Sequence, residues 1–345
     1  MSEPCAKPAV LIIRLSAMGD IVMASGLPST IKKHFTTDIQ LIWMVESPYK
    51  GLVENHPDVN GVICWPKQHW RQLLRLRHYV TLVKSIIAFR KQLRAYRFDL
   101  VIDAQGLLKS ALLAWLTGAR KRIGFKSKEY SHWLLTESHN KPLSSQISSE
   151  YVYLGARFSD MPYTLVMPLT VQDRNEVDKA FSKHGINGNV ISIAPYTTRP
   201  QKHWTNAHWH CLIKQFLEQE YTVVILGGPQ DKAEAERLCS DYDRCYALAG
   251  QLSMTGSAAA IERSRLLVGV DTGLTHMAIA LNRPAVALFG STRPYTRTHT
   301  TTTRVLYTEM ACAPCKRHPV CHGRYDCMQQ LTPQRVIHTA TELLR

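Results

Sequence analysis

At 345 residues, with 45% hydrophobic and 20% charged side chains, the chain is long enough for two cores and too apolar to be an extended disordered protein. No run approaches the ~18 consecutive apolar residues of a membrane span, and the opening MSEPCAKPAV lacks the blocks of a signal peptide, so a cytoplasmic protein is expected. The formal net charge of +15 predicts an anionic partner, and nine cysteines, an odd number, fit thiols or metal ligands better than a disulfide frame.

In chain order, AVLIIRL reads as the first strand. It ends in a polar elbow, LSAMGDIVMASGLPS, that holds a single carboxylate, Asp20, before a helical pattern running to residue 34. The runs IQLIWMV, GVICW and DLVIDAQ are further strands, with a helix predicted over 80–96. Residues 67–97 carry nine Lys or Arg and no Asp or Glu, and Arg120, Lys121, Arg122, Lys126 and Lys128 add a second basic group. Such a block favours a nucleic acid, an acidic membrane surface or a phosphorylated substrate over a merely solvated helix face.

A stretch interrupted by prolines, SDMPYTLVMPLTVQD, then separates two halves. The second half has strands at VISIAPY, YTVVILGG, RLLVGVD and PAVALFG, and helices are predicted over 207–219, 231–239, 273–281 and 333–344. Continuous rather than alternating apolarity marks strands covered on both faces, so each half is expected to be a parallel sheet wrapped by helices. The fold expected is α/β with two doubly wound, Rossmann-like domains over 1–165 and 166–345, the last helix being free to pack back on the first domain. Ligands of such folds bind beyond the carboxyl ends of the strands.

Two strand ends in the second half suit a diphosphate. After VISIAPY come the hydroxyls of Thr197 and Thr198 and the ammonium of Lys202. After RLLVGVD come Asp271, Thr272 and Gly273, where a helix starts whose first amides, those of Gly273, Leu274 and Thr275, point at one place, with His276 in the same turn. Ordinary helix capping explains each piece taken alone. There is no G-x-x-x-x-G-K-[ST] and no G-x-G-x-x-G, which removes support for ATP hydrolysis and hydride transfer. Trp204 and Trp209 read as core. Near the C-terminus, Cys312, Cys315, Cys321 and Cys327, with His318 and His322 between them, open on C-x-x-C and leave two readings: a structural zinc or iron loop, or reduced thiols.

Taken together, Ser16-Ala17-Met18-Gly19-Asp20, the block from Asp103 to Ser110 (DAQGLLKS), Thr197-Thr198 with Lys202-His203-Trp204, and Asp271 to His276 (DTGLTH) resemble the ADP-heptose:lipopolysaccharide heptosyltransferases, family 9 glycosyltransferases of the GT-B fold. The motifs occur in matching order over nearly the whole chain, and the Asp103 block most resembles the heptosyltransferase I group, which acts on the Kdo sugar of Kdo-lipid A. The resemblance implies an inverting transfer from ADP-heptose that needs no cofactor for catalysis. It casts Asp20 as the base on the acceptor hydroxyl and Lys202 as the cation on the leaving diphosphate. Thr197, Thr198, Asp271, Thr272, Gly273, Leu274 and His276 would hold the donor, and Ser16, Gly19, Arg71 and Lys109 the acceptor. It further implies a position on the anionic cytoplasmic face of the inner membrane, with no nucleic-acid partner. Relatives tend to carry a carboxylate for the adenosine ribose after the VVILGG strand, where this chain has Gln230 and Asp231. Two other readings stand beside this one: a protein heptosyltransferase acting on autotransporters, whose relatives include iron-holding cysteine fingers, and a basic nucleic-acid-binding protein without enzymatic activity.

Overall fold

The apolar runs form strands whose side chains are buried on both faces, because helices cover each sheet on either side. The computed structural model describes residues 7–292, 294–298, 300–315 and 318–345; Cys5 lies outside the described residues. The chain divides into two units. The first comprises Met1–Leu143 and Ser148–Thr164, and the second Ser144–Ile147 and Leu165–Arg345. The short 144–147 segment joins the second unit through Arg297, whose amide donates to the Ser145 carbonyl and whose carbonyl accepts from Ile147.

In the first unit β1 (Ala9–Ile13), β2 (Gln40–Glu46), β3 (Gly61–Trp65), β4 (Leu100–Asp103), β5 (Lys121–Phe125) and β6 (Glu137–His139) form a parallel sheet of order β3-β2-β1-β4-β5-β6. Its helices are α1 (Met18–Ala24), α2 (Leu27–His34), α3 (Lys67–Arg75), α4 (Tyr79–Ala95), α5 (Leu108–Leu116) and α6 (Ser149–Gly155). In the second unit β7 (Val190–Ala194), β8 (Thr222–Ile225), β9 (Cys245–Ala247), β10 (Leu266–Val270), β11 (Ala285–Phe289) and β12 (Thr303–Tyr307) are ordered β12-β11-β10-β7-β8-β9, again all parallel. Around them lie α7 (Val171–His184), α8 (Asn206–Glu218), α9 (Lys232–Cys239), α10 (Met254–Arg263), α11 (Gly273–Ala280), α12 (Asp326–Gln329) and α13 (Pro333–Leu344).

Read in chain order, both sheets have the same connectivity, with the first strand central and the direction of winding reversing between the first and fourth strands. That reversal opens a crevice at the carboxyl ends of β1 and β4 in one unit and of β7 and β10 in the other. All four motifs of the sequence fall at these four strand ends.

One local difference from the sequence reading has a physical cause. The helix expected from Asp20 to His34 is two helices, because the chain breaks at Ser25 and Gly26. A Cβ at Gly26 would stand 2.6 Å from the Thr164 carbonyl and 2.8 Å from the Tyr163 ring, so the break seats the 148–164 segment against α1 and α2. The C-terminal helix α13 lies on α8 and on β10 to β12, with Val336 and Ala340 fully buried in the second core. Within the basic block, Leu73 is buried, and Trp70, half-buried, packs against the first core. Trp204 and Trp209 lie in the second core, as read from the sequence, and the Trp204 indole donates to the Leu331 carbonyl at 2.7 Å.

Candidate active site

In the first unit β1 delivers Arg14 and Leu15 to the elbow that precedes α1. Burying a guanidinium is costly unless it is paired, and Arg14 is buried with its charge compensated. One nitrogen donates to the Ala104 carbonyl at 3.0 Å, a second meets Asp20 Oδ2 at 2.5 Å, and the group lies 5.6 Å from the Tyr151 ring centroid. Asp20 Oδ2 also accepts the Ala17 amide at 3.3 Å, so the capping role is present. Both contacts fall on one oxygen. Among the described residues Oδ1 has no hydrogen-bond partner, and the side chain is 41% exposed against 7% for Arg14.

The Asp103 block braces this elbow. Asp103, at the end of β4, is wholly buried and accepts the amides of Gln105 and Gly106 and the hydroxyl of Ser110, each at 3.0 Å. Burial pushes its carboxyl up to about 6 against the opposing pull of these hydrogen bonds and of Arg14. Gln105 Oε1 in turn accepts the amide of Leu15 at 2.8 Å and that of Ser16 at 3.4 Å, tying β4 to β1.

Ser16 Oγ donates to Glu46, at the end of β2, at 3.3 Å. Glu46 also takes Lys67 at 2.8 Å through both oxygens and Lys109 at 3.5 Å, and both ammonium groups stand over the Trp65 ring at 5.8 and 5.6 Å. Thus Ser16 and Lys109, two of the expected acceptor residues, share a partner. Gly19 sits beside Asp20 in α1, whereas Arg71 is exposed on α3 and joins no ion pair among the described residues.

In the second unit Lys202 follows β7 and Asp271 follows β10. Lys202 Nζ lies 2.5 Å from Asp271 Oδ2 and 3.3 Å from the Asp271 carbonyl. Thr292 donates to the same Oδ2 at 2.6 Å, and His276 Nε2 stands 3.5 Å from Oδ1. With its proton on Nε2, His276 accepts at Nδ1 from the partly buried Tyr295 hydroxyl at 3.0 Å. Burial alone would raise the Asp271 carboxyl, but the hydrogen bond from His276 and the charge of Lys202 outweigh it and hold the group far below the usual carboxylate range. Burial and the Asp271 charge push the Tyr295 phenol well up.

Thr272 stands at the N-cap of α11 without a side-chain cap bond, and among the described residues the amides of Gly273, Leu274 and Thr275 have no acceptor. On the facing loop Thr197 is partly exposed and Thr198 exposed, and His203 Nε2 donates to the Thr197 carbonyl at 2.7 Å. Asp231 Oδ2 accepts the Gly228 amide at 2.8 Å and the Gln230 amide group at 3.2 Å, an internal brace of its own turn.

The family model for glycosyltransferase family 9 (heptosyltransferase) matches residues 86–325. The chain belongs to glycosyltransferase family 9. It is 28% identical to lipopolysaccharide heptosyltransferase 1 of Pseudomonas aeruginosa over 97% of this chain and 96% of that protein. Among solved structures it is similar to E. coli ADP-heptose lps heptosyltransferase II, with a TM-score of 0.76, 22% identity and coverage of 97% and 98%. It is also similar to the E. coli heptosyltransferase WaaC with ADP, with a TM-score of 0.75, 24% identity and coverage of 97% and 99%. The chain is a glycosyltransferase with the GT-B fold of these heptosyltransferases.

Several residues of this candidate site escape a reading of the sequence: Arg14, Glu46, Tyr151, Thr292 and Tyr295. Arg14 alone carries a local signal, a charge inside the continuous apolar run VLIIRL, which a buried strand tolerates only when paired. The cysteine loop does not converge on a metal. Among the described residues no group of three or more His, Cys, Asp or Glu is arranged to hold one. Cys312 is exposed and Cys327 buried, and burial pushes the Cys327 thiol up, with Cys315, Cys312 and Cys321 adding to the shift. The zinc or iron alternative thus finds no ligand set among the described residues.

Proposed function

We propose that this glycosyltransferase moves a heptose from ADP-L-glycero-D-manno-heptose to the Kdo of Kdo-lipid A, in the inner core of lipopolysaccharide, by a single displacement that inverts the anomeric centre. The observation that carries the reading is Asp20: one carboxylate oxygen is clamped by a buried guanidinium and the other is left open at a strand-end crevice. An acceptor hydroxyl seated at Oδ1 gives up its proton as it attacks the anomeric carbon, while ADP departs.

Negative charge grows on the departing phosphate. The reading assigns its stabilisation to Lys202, the first-turn amides of Gly273, Leu274 and Thr275, and the hydroxyls of Thr197 and Thr198, preorganised dipoles of the kind that dominate transition-state stabilisation. In this scheme Asp271 and Thr272 set the donor turn, and Asp271 with His276 holds Lys202 in place. On the acceptor side, Ser16, Gly19 and Lys109 line the elbow, Lys67 adds a cation from the basic block, and Arg71 meets acceptor groups that reach α3. The enzyme works on the cytoplasmic face of the inner membrane, where its acceptor is anchored, and no nucleic acid takes part.

Purified protein is incubated with ADP-heptose and either Kdo-lipid A or an autotransporter fragment, and products are read by mass spectrometry. One heptose added to Kdo-lipid A and none to the polypeptide is expected. Addition to the polypeptide alone would replace this reading with the protein-acceptor alternative.

A further inference from the structure

Away from the strand-end sites, α4 exposes an unpartnered face. Val80, Val83 and Ile87 lie along one side at helical spacing, with Val80 71% and Ile87 59% exposed. The same side continues through Arg90, Lys91 and Arg94. Next to it, α5 exposes Leu112 and Trp115 on one side. Arg90 lies 5.9 Å from the Trp115 ring centroid and joins the two stripes.

Both helices run to the same edge of the first unit, where Arg94, Arg97 and Arg120 wall an open cavity of about 460 Å³. Gly118 makes this possible: its φ of +75° favours glycine, and a Cβ there would meet the Arg94 guanidinium at 3.2 Å. Asp99 is the one carboxylate lining the cavity, and it accepts the Ala9 amide at 2.9 Å. Neither α3 nor α4 contains an acid.

We infer that this face docks on an anionic lipid surface, the apolar stripes of α4 and α5 entering the headgroup boundary and the arginine cavity receiving a lipid phosphate. Contiguous exposed apolar side chains are rare on a monomer without a partner. An apolar stripe rimmed mainly by cations, with Asp99 at the cavity and Glu129 at the start of α5 as the nearby acids, complements an anionic leaflet in both hydrophobicity and charge, and long basic side chains reach phosphates while their stems stay apolar. The inference extends the membrane part of the proposed function and leaves its transfer chemistry untouched.

The test is flotation of the full chain with vesicles of phosphatidylcholine alone or of phosphatidylcholine with phosphatidylglycerol. Parent protein is expected to float with the anionic vesicles only. Ile87→Glu should abolish flotation, and Arg94 and Arg120 changed together to Ala should lower anionic partition roughly 25-fold, about fivefold per charge. Thermal melts and ADP affinity serve as folding controls. Turnover on a water-soluble Kdo acceptor should be unchanged in all variants, while turnover on vesicle-embedded acceptor falls. Equal partition of the parent to both vesicle types, or variants that float like the parent, would overturn the inference. So would a two-chain mass in solution that Ile87→Glu returns to one chain without any vesicle binding, since the face would then belong to a second copy. Absence of transfer to the soluble acceptor by the parent, with vesicle binding intact, would instead remove the proposed reaction.

Discussion

Asp103 and Asp271 stand at the ends of equivalent strands, the fourth of each sheet, and their carboxyls shift in opposite directions. Asp103 is surrounded by amides and a hydroxyl, and desolvation wins. Asp271 is largely removed from water, its side chain 12% exposed, but faces Lys202 and His276, and the cation and its neighbour win. One strand position therefore serves two purposes. In the first unit the buried acid holds a loop, and the carboxylate proposed as the base, Asp20, lies at the neighbouring elbow with no hydrogen-bond partner on Oδ1 among the described residues. In the second unit the acid holds Lys202, the cation proposed to meet the departing phosphate.

The largest effect expected from this division is at Asp20. Asp20→Asn should lower kcat by about a thousandfold while ADP affinity stays within about twofold, measured by coupled assay and calorimetry. A matching loss of ADP affinity would break the separation of roles.

The two buried acids should imprint opposite pH dependences on stability. Asp103 is raised from about 3.8 to about 6, so between those values the folded state keeps a proton that the unfolded chain has lost, and stability falls as pH rises. The two-unit shift corresponds to about 3 kcal/mol, and Asp103→Asn should remove that fall in urea titrations at pH 4 and pH 7. Asp271 is depressed, so its contribution is fully present above about pH 4 and is lost on acidification below that. Asp271→Asn should therefore flatten the acid side only. A flattening between pH 4 and pH 6 in Asp271→Asn would contradict the assignment.

Lys202→Ala should lower kcat/KM for the donor by about 100-fold, with weaker ADP binding and slower transfer together. If KM alone changed, the cation would be a ground-state contact only. The smallest effect is expected at Arg14, where Met keeps the volume but not the clamp. Arg14→Met should reduce kcat by about tenfold with both KM values near those of the parent, and Arg14→Lys should recover part of the loss. A raised acceptor KM with kcat unchanged would sharpen the comparison differently, moving Arg14 from positioning the base to shaping the acceptor site.

Much of this architecture is legible in the sequence because parallel strands need apolar residues on both faces. All eight runs such as AVLIIRL and PAVALFG became strands. The strands that escaped are short or partly exposed: Lys121–Phe125 begins on two cations, and Glu137–His139 has three polar residues of intermediate burial. The motif residues were readable because a polar residue just past an apolar run must sit at a strand end. Their partners were not, since Glu46 lies 30 positions from Ser16, and Thr292 lies 21 from Asp271, with no local pattern linking them. The surface proposed to meet lipid was half visible: the charge run pointed to it, but Leu73 is buried and Trp70 half-buried, and α5 adds the exposed Leu112 and Trp115.

The most direct measurement is the anomeric configuration of the transferred heptose, determined by NMR on the product formed from Kdo-lipid A. A single displacement with Asp20 taking the acceptor proton predicts a heptose inverted relative to ADP-heptose. Retention of configuration, or release of free heptose with no glycosylated acceptor, would contradict the account.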